Sequence, residues 1–209
     1  MSHLVLLGDS IFDNAHYVPG EPCVREQVNE ALPATWQVTL LALDGATTRG
    51  VSAQAARIPD DASHLVLSVG GNDALQASGY LRGACSSFPQ AMETLARIRD
   101  EFIESYQRAL KAVLSRGLPT HVCTVYDRIP GLSRGDTAGL ALFNELILRE
   151  AVRLKLSVID LRLVCDERDD FSTVSPIEPS ARGGAKIAGA IAAAVTVPDD
   201  LQPRVGIWA

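Results

Sequence analysis

The sequence predicts one three-layer α/β/α domain built on a mostly parallel sheet of five strands. Short apolar runs of strand type recur along the chain, and each is followed by turn residues and then by a segment with helical spacing. Strands that are apolar on both faces are typical of parallel sheets covered by helices on either side. The runs lie at residues 4–7, 36–43, 65–69, 121–126 and 156–161.

Two long helices between these strands are marked by apolar residues that recur every three or four positions. The first stripe consists of Leu95, Ile98, Phe102, Tyr106, Ala109 and Val113. The second consists of Leu140, Phe143, Ile147, Ala151 and Leu154. We expect the first helix to end near Gly117, because glycine accepts the left-handed conformation after a helix and Pro119 prevents continuation.

Composition limits the number of domains and the class of partner. The 209 residues, 47% of them hydrophobic, are enough for one well-buried core, so we expect a single domain over 1–209 with a tail at 198–209. The net charge is -6, from 25 acidic and 19 basic residues, and no basic block could follow a phosphate backbone. A nucleic-acid partner is therefore not expected, and the sequence does not indicate an oligomeric state.

Membrane and metal chemistry are not expected either. The longest apolar stretch, 187–197, is far shorter than the roughly 20 residues that a spanning helix needs, and no secretion signal is evident. We therefore expect a cytoplasmic protein without a membrane partner. Four cysteines, widely separated and without a Cys-x-x-Cys pair, give no zinc site and should stay reduced in that compartment: Cys23, Cys85, Cys123 and Cys165.

Three motifs follow the first three predicted strands: Gly8-Asp9-Ser10, Gly45 and Gly70-Gly71-Asn72-Asp73. In open parallel sheets, ligands bind beyond the carboxyl ends of the strands. Taken singly, Ser10 is explained as a helix N-cap, Gly45 as a turn glycine and Asn72 as a turn residue. Their common position at one edge of the sheet favours a functional site.

These residue types supply what acyl transfer requires. The reaction needs a nucleophile and hydrogen-bond donors aimed at the oxygen that becomes negative in the tetrahedral intermediate. Ser10 can be the nucleophile. Its own main-chain N–H, the N–H of Gly45 and the side-chain amide of Asn72 can form the oxyanion hole.

The order of these motifs resembles the SGNH or GDSL hydrolase family across nearly the whole chain. The C-terminal pattern of Pro179, Gly183, Ile187 and Ala188 adds to the resemblance. It implies a flavodoxin-like fold and a serine esterase that acts on a small-molecule ester with no metal or organic cofactor. By the same resemblance, Asp9 is expected to brace the nucleophile turn and Asp73 to cap the helix after the third strand.

Two positions depart from the family pattern. The family's last motif is an aspartate, two further residues and the histidine that deprotonates serine, whereas Ser175 and Glu178 occupy the matching positions here. Glu178 is either a general base or a solvated carboxylate in a degenerate site. An ordinary glutamate titrates near 4.3 against about 6.5 for histidine, so it is the weaker base unless burial raises its pKa. Ser175 avoids repulsion between two carboxylates, and its hydroxyl can donate a hydrogen bond that orients Glu178.

The histidines elsewhere in the chain offer one lesser alternative. His3, His64 and His121 fall at or before the starts of predicted strands, at the edge opposite Ser10. His16 lies on the correct side, but six helical positions correspond to about 9 Å of rise, too far for a hydrogen bond to Ser10. If that segment is a loop, His16 stays open as the base.

The sequence therefore favours a serine esterase that hydrolyses carboxylic, short-acyl esters through an acyl-Ser10 intermediate, with Glu178 as general base and Ser175 in support. The alternative is a catalytically inactive protein on the same fold that binds an ester or a carbohydrate. The two differ in whether Ser10 is activated as a nucleophile.

Overall fold

A sheet of five parallel strands forms the middle layer of the computed structural model, which describes residues 2–81, 83 and 85–197. The strands are β1 (Ser2–Gly8), β2 (Trp36–Leu40), β3 (His64–Ser68), β4 (Thr120–Cys123) and β5 (Ser157–Ile159). Their order is β2-β1-β3-β4-β5, and every neighbouring pair is parallel. The predicted three-layer α/β/α fold is confirmed, while the tail at 198–209 lies outside the described residues.

The strand order places a crevice beside β1. The chain passes from β1 to β2 on one side and then to β3 on the other, so the direction of winding reverses at β1 and β3. These two strands pair to their last residues, Gly8 with Ser68. Ligands of doubly wound folds bind outside the carboxyl ends of the strands at such a switch point. The turn at Ser10 and the start of the helix at Asn72 both lie there.

Both faces of the sheet are covered, which explains why the central strands are continuously apolar. On one face, Val5 and Leu7 pack with α2 (Val51–Ala55), α4 (Phe88–Leu114) and α5 (Arg134–Leu154), joined by Ala77 of α3 (Gly71–Leu81). On the other face, Leu4 and Leu6 pack with the remaining three helices. These are α1 (Val24–Ala31), α6 (Leu161–Val164) and α7 (Ala181–Thr196).

The two long helices have boundaries that local chemistry explains. The hydroxyl of Ser87 accepts a hydrogen bond from Gln90 N at the start of α4, and α4 ends three residues before Gly117, which has φ of +65°. At the start of α5, Ser133 and Asp136 form a capping box.

Strand β4 ends three residues earlier than its apolar run indicates. The fourth run was expected to extend to residue 126, yet β4 ends at Cys123. The side-chain amide of Asn144 donates to Val125 O and accepts from Val125 N, both at 2.8 Å, so these main-chain groups are satisfied by α5 rather than by the sheet. The segment after β4 is thereby directed towards the crevice.

Three short 3-10 helices complete the described secondary structure: Ala15–Tyr17, Thr48–Gly50 and Arg168–Asp170. Within the ranges that the structure describes, none of the helices has both the length and the apolar character needed to cross a bilayer.

Gly8 provides a test of how tightly the end of β1 is packed. It has φ of +125°, and a Cβ at this position would lie 1.7 Å from the main-chain oxygen of Ser68. We expect Gly8→Ala to lower the free energy of unfolding by more than about 3 kcal/mol, because the clash is with backbone that cannot rotate away. Urea unfolding followed by circular dichroism measures this change.

Gly20→Ala is the matched control. Gly20 also has a positive φ, +81°, but no heavy atom lies within 4 Å of the added Cβ. Gly20→Ala should lower the free energy of unfolding by about 1 kcal/mol, because the added Cβ causes backbone strain but no clash. Equal losses in the two variants would contradict the packing argument.

Candidate active site

Ser10 and Glu178 are joined by a hydrogen bond at the carboxyl edge of the sheet. The hydroxyl of Ser10 donates to Oε1 of Glu178 at 2.9 Å. Ser10 is 5% exposed and Glu178 is 4% exposed. A hydroxyl group and a carboxyl group that can accept its proton are therefore in direct contact in a site that is largely shielded from water.

The turn that carries Ser10 is fixed at both ends. Asp9 N donates to Ser68 O at 3.1 Å, which ties the turn to the end of β3. The Asp9 carboxylate accepts from Ile11 N at 3.2 Å, so it spans Ser10 and closes the turn. Before the turn, the side-chain amide of Gln54 bonds both Gly8 N, at 2.7 Å, and Gly8 O, at 2.8 Å. The Ser10 hydroxyl consequently has little freedom of position.

Glu178 lies in the segment between the 3-10 helix Arg168–Asp170 and α7. A short antiparallel bridge pairs Phe171 with Pro179. At the start of α7, the hydroxyl of Ser180 accepts from Gly183 N at 3.1 Å and caps the helix. Gly183 is required there because a Cβ would lie 2.0 Å from Asp170 O.

Ser175 contacts Glu178 through its main chain. Its carbonyl oxygen accepts from Glu178 N at 3.0 Å, which closes a turn over residues 175–178. The orienting hydrogen bond expected from the Ser175 hydroxyl is not among the contacts of the described residues, and Oε2 of Glu178 has no hydrogen-bond partner among them. The carboxylate of Glu178 is held by the Ser10 hydroxyl at Oε1 alone.

The loops after β2 and β3, which carry the other two expected donors, are bonded to each other. Gly45 has φ of +75°, and Asn72 is the second residue of α3. One N–H of the Asn72 side chain donates to Ala46 O at 3.0 Å, directly after Gly45. An amide has two such donors, so a second remains for a ligand. Ser10 and Asn72 line the same cavity.

Asp73 has a different contact from the expected helix cap. Its carboxylate accepts from Thr48 N at 3.0 Å and from the Thr48 hydroxyl at 2.6 Å. Thr48 lies three residues after Gly45. Asp73 therefore holds the Gly45 loop against α3 and supports the site indirectly, through Thr48.

Burial raises the pKa of three carboxyl groups at the site, those of Glu178, Asp9 and Asp73. Burial raises the pKa of Glu178 to about 7, opposed by the Ser10 hydrogen bond and increased further by the charge of Asp44. Burial also raises the pKa of Asp9 to about 8, and the charges of Glu178 and Asp73 add to that effect. Near pH 7, Asp9 is therefore mostly protonated, and Glu178 is ionised in a large fraction of molecules.

The four histidines lie away from this pair. His3 bonds Asp61 and Thr39 near the start of β1, His64 bonds Ser63 at the start of β3, and His121 lies near the start of β4. All three are at the opposite edge of the sheet, as the sequence indicated. His16 is exposed in the 3-10 helix Ala15–Tyr17, and no hydrogen bond among the described residues joins it to Ser10.

A cavity of about 120 Å³ opens beside Ser10 and Glu178. Its walls come from α3, α5 and the segment that follows β4. Apart from the catalytic end, Ser78 and Asp136, the wall is mainly apolar: Ile11, Ala74, Leu75, Val125, Ile129, Leu132, Leu140, Phe143 and Ile177. The helical stripe identified Leu140 and Phe143 only as core residues, because an apolar residue that lines a cavity has the same spacing as one that fills a core.

Within the described ranges, no group of three or more His, Cys, Asp or Glu side chains is arranged to hold a metal ion.

Comparison with known proteins identifies the family to which the chain belongs. The family described as GDSL-like lipase/acylhydrolase matches residues 6–186. The chain belongs to this family. As a GDSL-like protein it is a carboxylic ester hydrolase, and its general activity is ester hydrolysis.

Solved structures of other proteins share the GDSL-like fold. A lipase from a goat rumen metagenome superposes with a TM-score of 0.73 at 17% identity, over 93% of this chain and 97% of that one. An acetyl xylan esterase superposes with a TM-score of 0.67 at 18% identity, over 92% and 99%. An aryl esterase from M. smegmatis gives 0.67 at 14% identity, over 93% and 98%. No protein of curated function matches the sequence.

The raised pKa of Asp9 makes stability depend on pH. The folded state holds a proton up to pH 8, whereas the unfolded state releases it near 3.8, so stability falls as pH rises between these values. We expect Asp9→Asn to remove up to about 1.4 kcal/mol per pH unit from this slope, because the amide cannot ionise and its oxygen still accepts from Ile11 N. Urea unfolding at pH 5, 6, 7 and 8 measures the slope.

Asp100→Asn is the control, since Asp100 is a surface residue paired with Arg99. It should leave the slope of the wild-type protein unchanged. If Asp9→Asn and wild type lose stability in parallel over this range, Asp9 does not retain its proton in the folded protein.

Proposed function

We propose that this GDSL-like protein hydrolyses carboxylic esters through an acyl-Ser10 intermediate, with Glu178 as the general base in place of histidine. The observation that carries the proposal is the buried hydrogen bond of 2.9 Å from the Ser10 hydroxyl to Glu178 Oε1. The acceptor of the serine proton is thus already in position before a substrate binds.

In the first half of the reaction, Ser10 Oγ attacks the ester carbonyl while its proton passes to Glu178. The carbonyl oxygen becomes negative and is stabilised by N–H groups of Ser10, Gly45 and Asn72. Glu178 then gives the proton to the departing alkoxide, and the acyl group remains on Ser10. In the second half, Glu178 takes a proton from water, the hydroxide attacks the acyl-enzyme, and the carboxylic acid leaves as Ser10 regains its proton.

Burial compensates for the ordinary weakness of a glutamate as a base. A pKa of about 7 brings Glu178 close to the basicity of an imidazole. The best general base has a pKa near the working pH, because it must be ionised and still hold a proton strongly. Replacement of histidine by glutamate is therefore compatible with turnover in this environment.

The small volume of the cavity favours a substrate with a short acyl chain. Its volume, about 120 Å³, is well below the 300–1,000 Å³ of pockets that enclose drug-sized ligands. The apolar wall suits a hydrocarbon chain rather than a sugar. We place the acyl group of the substrate in this cavity and its alcohol group towards solvent.

We also propose that the protein is cytoplasmic. All four cysteines are free thiols, and that of Cys85 is exposed. An exposed free thiol persists most readily in a reducing compartment.

Glu178→Gln tests the base. The amide keeps the shape of the side chain but cannot accept the serine proton, so kcat/KM for p-nitrophenyl butyrate should fall at least about 100-fold, as in Ser10→Ala. In the wild type, kcat/KM should be lost as pH falls through about 7, where Glu178 becomes protonated. Circular dichroism confirms that each variant is folded.

His16→Ala is the control, and it should retain the wild-type rate and pH profile. Full activity of Glu178→Gln together with loss of activity in His16→Ala would show that His16 is the base. A protein that binds esters without turnover would leave Ser10 unlabelled by a fluorophosphonate, and that result would contradict catalysis altogether.

Leu140→Ala tests the location of the acyl group. Leu140 is buried in α5 and lines the cavity, so its truncation should move the preferred chain from four carbons or fewer to six or more. The measurement is kcat/KM over p-nitrophenyl esters of two to twelve carbons. Leu146→Ala is the matched control, because Leu146 is equally buried in α5 but does not line the cavity. A preference that shifts in both variants, or in neither, would contradict the assignment.

A further inference from the structure

Three successive carbonyl groups around Glu178 each accept a hydrogen bond from a different part of the chain. Ile177 O accepts from the hydroxyl of Tyr126 at 2.6 Å. Glu178 O accepts from Ser172 N at 2.8 Å. Pro179 O accepts from the side-chain amide of Asn14 at 3.2 Å. We call residues 177–179 the base segment.

Tyr126 provides a rigid donor on one side of the base segment. It follows β4, is 1% exposed, and packs edge-to-face against Phe171 with ring centroids 5.1 Å apart. Burial, with a smaller contribution from the charge of Glu178, raises the pKa of its hydroxyl well above the usual range. The hydroxyl therefore remains protonated, and so able to donate, at neutral pH.

Asn14 provides a second rigid donor on the other side. Its side chain is fully buried, and its amide oxygen accepts from Val24 N at 2.9 Å at the start of α1. The same side chain thus bonds both α1 and Pro179. Because Asn14 lies only four residues after Ser10, it links the nucleophile turn directly to the base segment.

These hydrogen bonds are important for the position of Glu178, because its carboxylate makes few hydrogen bonds itself. Oε1 is bonded to Ser10, and Oε2 has no partner among the described residues. In serine hydrolases with a histidine base, a third group orients the base. Here no such group contacts the carboxylate within the described residues, so its orientation depends on the main chain that carries it.

We propose that Tyr126 and Asn14 are positioning residues, which hold the base segment so that the Glu178 carboxylate meets the Ser10 hydroxyl. This inference rests on the proposed function of Glu178. Tyr126 also lines the cavity beside Glu178. The hydrogen bonds that Tyr126 and Asn14 make to the base segment go to main-chain oxygens, so we place their effect on the reaction in the position of Glu178.

Tyr126→Phe is the first test, because it removes one hydroxyl and keeps the ring that packs on Phe171. We expect kcat for p-nitrophenyl butyrate to fall about 10-fold or more while KM changes less than about twofold, since a small displacement of a catalytic group lowers the rate steeply. The acid limb of the pH profile should move down by about one pH unit, because a loosened segment admits water to Glu178. Asn14→Ala should change kcat and the acid limb in the same directions, so the inference is tested from both sides.

Tyr106→Phe is the matched control. Tyr106 is also 1% exposed, but it belongs to α4 on the opposite face of the sheet and does not line the cavity. Its substitution should leave kcat, KM and the acid limb at their wild-type values. An equal loss of kcat in Tyr106→Phe and Tyr126→Phe would overturn the inference in favour of general destabilisation.

A double-variant cycle separates this inference from the proposed function. The readout is the rate constant at which a fluorophosphonate labels Ser10, measured in wild type, Tyr126→Phe, Glu178→Gln and the double variant. If Tyr126 acts through Glu178, its substitution slows labelling in the wild-type background and changes it less than about twofold in Glu178→Gln. If Glu178→Gln slows labelling but Tyr126→Phe does not, the positioning role is overturned and the base stands. If Glu178→Gln labels at the wild-type rate, the proposed function itself fails.

Discussion

The hydrogen bond from the Ser10 hydroxyl to Glu178 depends on the buried crevice in which it lies. In water, an ordinary glutamate would be too weak a base to activate serine. Removal from water raises its pKa to about 7, and that gain requires the close packing at the carboxyl edge of β1 and β3. The glycine at the end of β1, the bonds from Gln54 and the bridge between Phe171 and Pro179 all serve to keep the crevice closed around this contact.

A glutamate and a histidine place different demands on their surroundings. Imidazole has two nitrogens, so a histidine base needs a partner that selects the tautomer and the ring orientation. A carboxylate has two equivalent oxygens and no tautomer to select, and Oε2 of Glu178 is unbonded among the described residues. This difference explains why the position that holds aspartate in the related enzymes can be a serine here. A second charged carboxylate in contact with Glu178 would raise the pKa of Glu178 further. The charge of Asp44 already raises that pKa, whereas Asp9 is largely protonated near pH 7.

The parts of this protein that were predictable from sequence are those that depend on short-range pattern. The apolar runs and turn glycines predicted all five strands. They also predicted that Ser10, Gly45 and Asn72 lie at one edge of the sheet, because parallel strands share their carboxyl ends. The early end of β4 was not predictable, since it results from the amide of Asn144, nineteen residues further along the chain. The contact of Ser175 through its carbonyl was missed for a similar reason: the direction of a hydroxyl depends on the conformation of the turn. Tyr126 and Asn14 carry no sequence signal at all, because their partners are main-chain carbonyls that any residue could supply.

The contact between Ser10 and Glu178 also joins the turn after the first strand to the segment before the last helix of the described chain. Ser10 and Glu178 are separated by 168 residues, so their contact closes a loop that contains nearly the whole fold. Such long-range contacts form late in folding, since the entropy of closing the loop must first be offset by the pairing of the intervening strands. During synthesis, a chain that has not yet reached residue 178 therefore has Ser10 without the carboxyl group that it contacts in the folded protein. A reactivity of Ser10 that depends on Glu178, as proposed, is gained only once this contact has formed.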